Sequence, residues 1–165
     1  MGRRRREFDD DSDYERRDGK RLDKAARNLL RQARRPSFNC IQCKNEVPTD
    51  ATSTKHRNHC PICLWSRHVD VAIGDRRSHC QSAMEPIGLT IKRDGGELMI
   101  VHRCVGCGTI GKNRIAGDDN HASITNLLIK SSELGVEVIE KLHKLGIELC
   151  DDAELVEERL HGRRE

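Results

Sequence analysis

Three features of the sequence predict a small α+β fold stabilised by metal. Six of its eight cysteines fall in Cys-x-x-Cys pairs, only 35% of its residues are hydrophobic, and alternating stretches flank a Gly-containing turn at Asp94-Gly95-Gly96. A chain of 165 residues with so little apolar content is expected to rely on metal or disulfides rather than on a large core. The opening Met-Gly-Arg-Arg-Arg-Arg holds no apolar signal segment, and no run approaches the roughly 20 apolar residues of a membrane span. A reducing, cytoplasmic setting is therefore expected, in which paired cysteines serve as metal ligands. The architecture that follows is a β-hairpin/zinc-ribbon core with two knuckle-type metal sites, flanked by N- and C-terminal helices.

Charge divides the chain. Residues 1–35 carry 13 Lys/Arg against 8 Asp/Glu, net +5; residues 36–120 carry 11 against 9, net +2; residues 121–165 carry 6 against 10, net −4. Residues 1–18 are almost wholly charged and bury nothing, so a disordered arm is expected. Its Arg3, Arg4, Arg5 and Arg6 suit phosphates or an RNA groove, or serve simply as a solubilising tail. Over residues 19–36, Leu22, Ala26, Leu29 and Ala33 form one helical stripe. Lys20, Lys24, Arg27, Arg31 and Arg34 form another, two residues out of phase and so on the opposite face. Such a helix docks one face on protein and offers the other to a polyanion or to water.

The knuckles come next. Two residues between cysteines let one tight turn aim both sulfurs at a single point, as tetrahedral zinc requires. Cys40-x-x-Cys43 and Cys60-x-x-Cys63 are separated by 16 residues, the pair-loop-pair spacing of a zinc ribbon. They are expected to share one four-cysteine zinc. Cys104-Val-Gly-Cys107-Gly is a further knuckle, and Cys80 is the obvious third ligand of a second site. Its fourth ligand is expected to be His102 or His68, because His79 adjoins Cys80 too closely. A crossed arrangement, with the pairs alternating between sites, remains open. Ile87 to Arg93 and Glu97 to His102 supply the hairpin.

Arg57-Asn58-His59-Cys60-Pro61 resembles the signature of the RNHCP family of small, zinc-binding proteins. Gly74-Asp75-Arg76, Met84 to Pro86, and Asn113-Arg114 to Asp118-Asp119-Asn120 are similar to that family's other recurring blocks, in order. The resemblance covers about residues 38–121 and implies an RNHCP-like zinc-binding domain over residues 37–121. It implies a scaffold rather than a particular reaction.

Two further motifs have bland readings. Gly106 to Lys112 spells G-x-x-x-x-G-K, but Asn113 supplies no hydroxyl for magnesium and Cys107 already belongs to a knuckle, so no nucleotide is expected. Asp118-Asp119-Asn120-His121 is expected to cap a helix from near Ala122, with its acids at the positive end. Residues 122–165 read as a helical acidic tail: Leu127, Leu128, Val136, Ile139, Leu142 and Leu145 recur at helical intervals, Gly146 suits a helix end, and Asp151 to Glu154 suit a helix start. Cys150, without a partner, reads as a small buried hydrophobe.

The function expected is a non-catalytic zinc protein that binds structured RNA through phosphate and shape, as a ribosomal or ribosome-associated component with ribosomal RNA and neighbouring proteins as partners. Arg57, Arg67, Arg76, Arg77, Lys112 and Arg114 around the knuckles are the candidate phosphate contacts. Phe8, Tyr14, Phe38 and Trp65 are too few for a base-stacking platform. The alternatives are a protein-interaction adaptor and an HNH-like nuclease using His59, Asp118, Asp119 and His121.

Overall fold

The computed structural model describes residues 37–50, 57–72, 75–93 and 96–161. They lie in one unit, Pro36–Glu165. The expected arm over 1–18, the basic helix over 19–36 and their phosphate-binding candidates, Arg3 to Arg6, Lys20, Lys24, Arg27, Arg31 and Arg34, lie outside the described residues.

The chain begins with a short hairpin, β1 (Ser37–Asn39) and β2 (Glu46–Pro48), wrapped around the first knuckle. A four-stranded antiparallel sheet follows, in the order β3-β4-β5-β6. Its strands are β3 (Ser66–Arg67), β4 (Ala83–Ile91), β5 (Leu98–Cys104) and β6 (Ile110–Arg114). The expected hairpin is β4–β5, running four residues earlier at one end and two later at the other. The β6 strand was not foreseen. It occupies the stretch that mimics a phosphate loop, where Gly111, Lys112 and Asn113 pair with His102, Val101 and Ile100.

A bulge between Pro86 and Gly88 sets the faces of β4. Proline cannot donate to a ladder, and a bulge accommodates it inside a strand. The bulge puts Ile87 with Val101, Leu142 and Ile147 in one apolar cluster. Leu89 joins Leu98 and Ile100 in another. Adjacent β5 residues Ile100 and Val101 point to opposite faces, so the sheet is covered on both.

The covers are three helices: α1 (His121–Ser132), α2 (Val136–Lys144) and α3 (Ala153–His161). Ile124 and Leu127 of α1 and Val156 and Leu160 of α3 enter the Leu89–Ile100 cluster; Val138, Ile139 and Leu142 of α2 enter the Ile87–Val101 cluster. The stretch read as an acidic tail is therefore half of the core. Its punctuation follows local chemistry. Asn120 caps α1, its Oδ1 accepting from the Ser123 amide at 2.8 Å. Gly146, at φ +62°, ends α2 while the Ile147 amide returns to the Leu142 carbonyl. Asp152 Oδ1 accepts the Leu155 amide at the start of α3. Cys150 is buried in the larger cluster, as a small hydrophobe would be. Among the described residues no helix is long and apolar enough to cross a membrane.

Candidate metal centres

The three Cys-x-x-Cys turns share one backbone frame. In each, the amide of the residue after the second cysteine donates to the carbonyl of the first: Lys44 to Cys40, Leu64 to Cys60, Gly108 to Cys104. The amide of the first cysteine in turn donates to the residue five ahead, Asn45, Trp65 and Thr109 respectively. The residue after the second cysteine is left-handed each time, at φ +64°, +62° and +70°. Only Gly108 adopts that backbone without strain. Gln81, after Cys80, is left-handed too, at φ +52°. Gly106 needs room rather than positive φ, because an added Cβ would lie 2.8 Å from Ser82 Cβ.

These turns gather two ligand clusters. Cys40, Cys43, Cys60 and Cys63 form one; His68, Cys80, Cys104 and Cys107 form the other, with the ligand atoms of each within 4.8 Å of one another. The uncrossed arrangement is the one present. Sulfurs approach to 3.5 Å for Cys40–Cys63 and 3.6 Å for both Cys43–Cys60 and Cys80–Cys104, and His68 Nδ1 lies 3.3 Å from Cys107 Sγ. A tetrahedron with roughly 2.3 Å metal–sulfur bonds has edges of about 3.8 Å, whereas a disulfide needs about 2.05 Å. The cysteines are free thiols, and both clusters fit a metal ion.

His68 reaches its cluster because the β3–β4 pairing carries it beside Cys80: its amide donates to the Ser82 carbonyl, and the Gln81 amide donates back to His68. His102, the other candidate, is not in the cluster. Its side chain is buried on β5, with Nε2 2.7 Å from the Leu64 carbonyl and Nδ1 3.2 Å from Asn113 Nδ2. It holds the carbonyl of a strained left-handed residue instead. Burial, which penalises the charged ring, drives its pKa down to about 4.

Thiolate stabilisers were missed in the sequence. Burial works against the Cys43 thiolate, but hydrogen bonds from the backbone and side chain of Asn45 bring its pKa to about 6. The hydroxyl and amide of Ser82, then His68, bring Cys80 to about 6. The Thr109 hydroxyl, 3.2 Å from Cys107 Sγ, lowers that thiol first among its neighbours. By contrast, burial pushes Cys60, Cys63 and Cys104 up. Asn45, Ser82 and Thr109 each stand two residues after a ligand cysteine, which is the signal that marks them.

The model of the RNHCP domain matches residues 35–125, more than half of the chain. The chain belongs to the RNHCP family. No curated protein and no solved structure matches it. The residues that give the family its signature have structural work here. Arg57 is buried and ion-paired with Asp118, with Asp119 at 3.8 Å, so it is not an exposed phosphate contact. His59 and Asp119, offered to a nuclease, are both buried against each other. Asp119 was expected at the positive end of α1; its carboxylate instead accepts from Ala116 and faces His59.

The remaining cations are exposed. Arg76 pairs with Asp70 at 3.7 Å, Arg77 with Asp75 and Arg114 with Glu97. Arg67, Arg76 and Lys112 converge on two adjoining clefts. One, of about 490 Å³, is lined by Arg67 and Arg76; the other, of about 320 Å³, by Arg67 and Lys112; both share Asn58, Arg67 and Val69. Arg67 makes no ion pair among the described residues.

Proposed function

We propose that this RNHCP protein is a non-catalytic, zinc-stabilised binder of structured RNA that works within a ribonucleoprotein such as the ribosome. The convergence of Arg67, Arg76 and Lys112 around two adjoining clefts carries this reading, since cations brought together from distant positions suit successive phosphates. Zinc is the metal that three or four thiolates in a closed tetrahedral set favour. Four protein ligands leave no position for substrate, which supports a structural role for both ions.

The test is the salt dependence of binding to a ribosomal RNA hairpin by fluorescence anisotropy, paired with ultraviolet cross-linking in cells. Phosphate contacts release counterions, so log Kobs should fall linearly with log salt, with a slope of about −2 or steeper. No cross-linked RNA above background, with protein partners recovered in its place, would turn the reading toward an adaptor.

A further inference from the structure

We infer that the cleft beside the first metal centre seats one unpaired nucleotide of RNA, a step that rests on the RNA-binding reading above. Phe38 and Trp65 are the only phenylalanine, tyrosine or tryptophan residues among the described residues, and both line this cleft. Phe38 stands two residues before Cys40 and Trp65 two after Cys63, so the two rings flank one metal centre. Each is half-buried against the Cys40–Val47–Cys60 cluster, which fixes its orientation, and each turns remaining surface to the cleft. Arg67 stands exposed on the same cleft without an ion pair among the described residues, and Arg76 stands exposed beside it with Asp70 at 3.7 Å. The amide side chain of Asn39 and that of Gln81, whose Nε2 donates to the Ser78 carbonyl, line it too. Ring faces for a base, guanidinium groups for its phosphate and amides for its edge are the three contacts by which proteins hold a splayed-out nucleotide. A volume of about 490 Å³ lies within the roughly 300–1,000 Å³ of small-ligand sites. A duplex offers no free base face, so single-stranded or looped RNA is the form that fits.

Trp65 is the chain's one tryptophan, so its emission reports on this cleft alone. The full zinc-loaded chain is titrated with a ten-nucleotide single-stranded RNA, with its blunt duplex, and with AMP. Anisotropy of end-labelled RNA follows binding independently. The single strand should quench Trp65 saturably, and Phe38→Leu should weaken it about fivefold or more with duplex affinity and zinc content unchanged. Arg67→Ala should weaken the single strand about tenfold. Binding by anisotropy without quenching, and with Phe38→Leu like wild type, overturns the cleft and leaves the RNA reading standing. No binding of either RNA overturns both. Saturation by AMP at the decamer's concentration makes this a free-nucleotide site and overturns the assignment to RNA. Should Phe38→Leu lose zinc, quenching of the wild-type chain decides.

Discussion

His59 Nε2 lies 2.8 Å from Asp119 Oδ2, across 60 residues of sequence, and both side chains are buried. Around this pair the second knuckle, Cys60–Cys63, is fastened to the start of α1. The Asn120 amide donates to the Pro61 carbonyl at 2.8 Å, and the Ser123 hydroxyl to the Ile62 carbonyl at 2.7 Å. Arg57 adds its ion pair to Asp118. The Arg-Asn-His-Cys-Pro stretch is thus a clasp as well as the carrier of one candidate metal ligand, Cys60. Removing one partner of a buried polar pair leaves the other unsatisfied, so Asp119→Ala should lose about 3–5 kcal/mol. Asp118, half-exposed at 48%, should lose about 1 kcal/mol on the same change. Urea denaturation with zinc present measures both, and equal losses would refute the clasp.

The two candidate histidines should separate cleanly. His68→Ala should lower metal content from two ions per chain to one, because His68 is a ligand in the second cluster. His102→Leu should retain both ions and lose about 1–3 kcal/mol, the penalty for stranding the Leu64 carbonyl. Metal analysis by mass spectrometry beside a denaturation curve distinguishes them; loss of an ion from His102→Leu would reassign the ligand.

How far the sequence reveals these sites depends on how local the information is. Cysteine spacing specifies six of the eight ligands, because a two-residue gap fixes a turn whatever surrounds it, and Cys80 follows as the cysteine nearest the pair left incomplete. The choice of His68 over His102 was not legible. It depends on β3 pairing with β4, a contact between Ser66–Arg67 and Ala83–Met84 that two residues of strand cannot announce. The C-terminal helices were legible as helices from their periodicity and caps. Their place over both faces of the sheet was not, since charge at their surfaces obscured the apolar sides that meet β4 and β5. The β6 strand was hidden because Gly111, Lys112 and Asn113 have little strand preference, and pairing with β5 overrides it.

Metal should leave the two centres at different rates. Each cluster has two buried ligands, but Cys107 of the second is exposed, whereas no ligand of the first is more than half-exposed, Cys43 and Cys63 being intermediate. A chelator should therefore release zinc in two phases, the first from the His68–Cys107 cluster. Cys107→Ser should abolish or greatly shrink the fast phase, read with a zinc-sensitive dye, and leave the slow one. A single phase in the wild-type chain would contradict this order.

Glu85 links β4 to α1 through Lys130 at 2.8 Å and to β5 through Arg103 at 3.2 Å. Partial burial opposes its charge, but Lys130 and then Arg103 hold its carboxyl below the usual range. A depressed carboxylate stabilises the fold above its unfolded pKa and loses that contribution as pH falls through the folded one. Glu85→Gln should therefore lose about 1 kcal/mol near pH 7, after allowance for solvent screening. The gap from wild type should close as pH falls through and below the ordinary glutamate range. Denaturation of both chains across that range is the measurement; a gap independent of pH would place the effect in packing.

Leu64 has two obligations. It is the left-handed residue that closes the second knuckle, and it is fully buried in the larger apolar cluster beside Leu89 and Ile100. A chain whose first centre loses its ion keeps only the His102 hydrogen bond and the turn's own amide on that strained backbone, so the side chain should leave the core more readily. Apolar surface and unpaired strand edges then come into view, the features by which chaperones and proteases choose their clients. The lifetime of this protein in a cell should accordingly follow the supply of its metal, with starved copies cleared rather than stored.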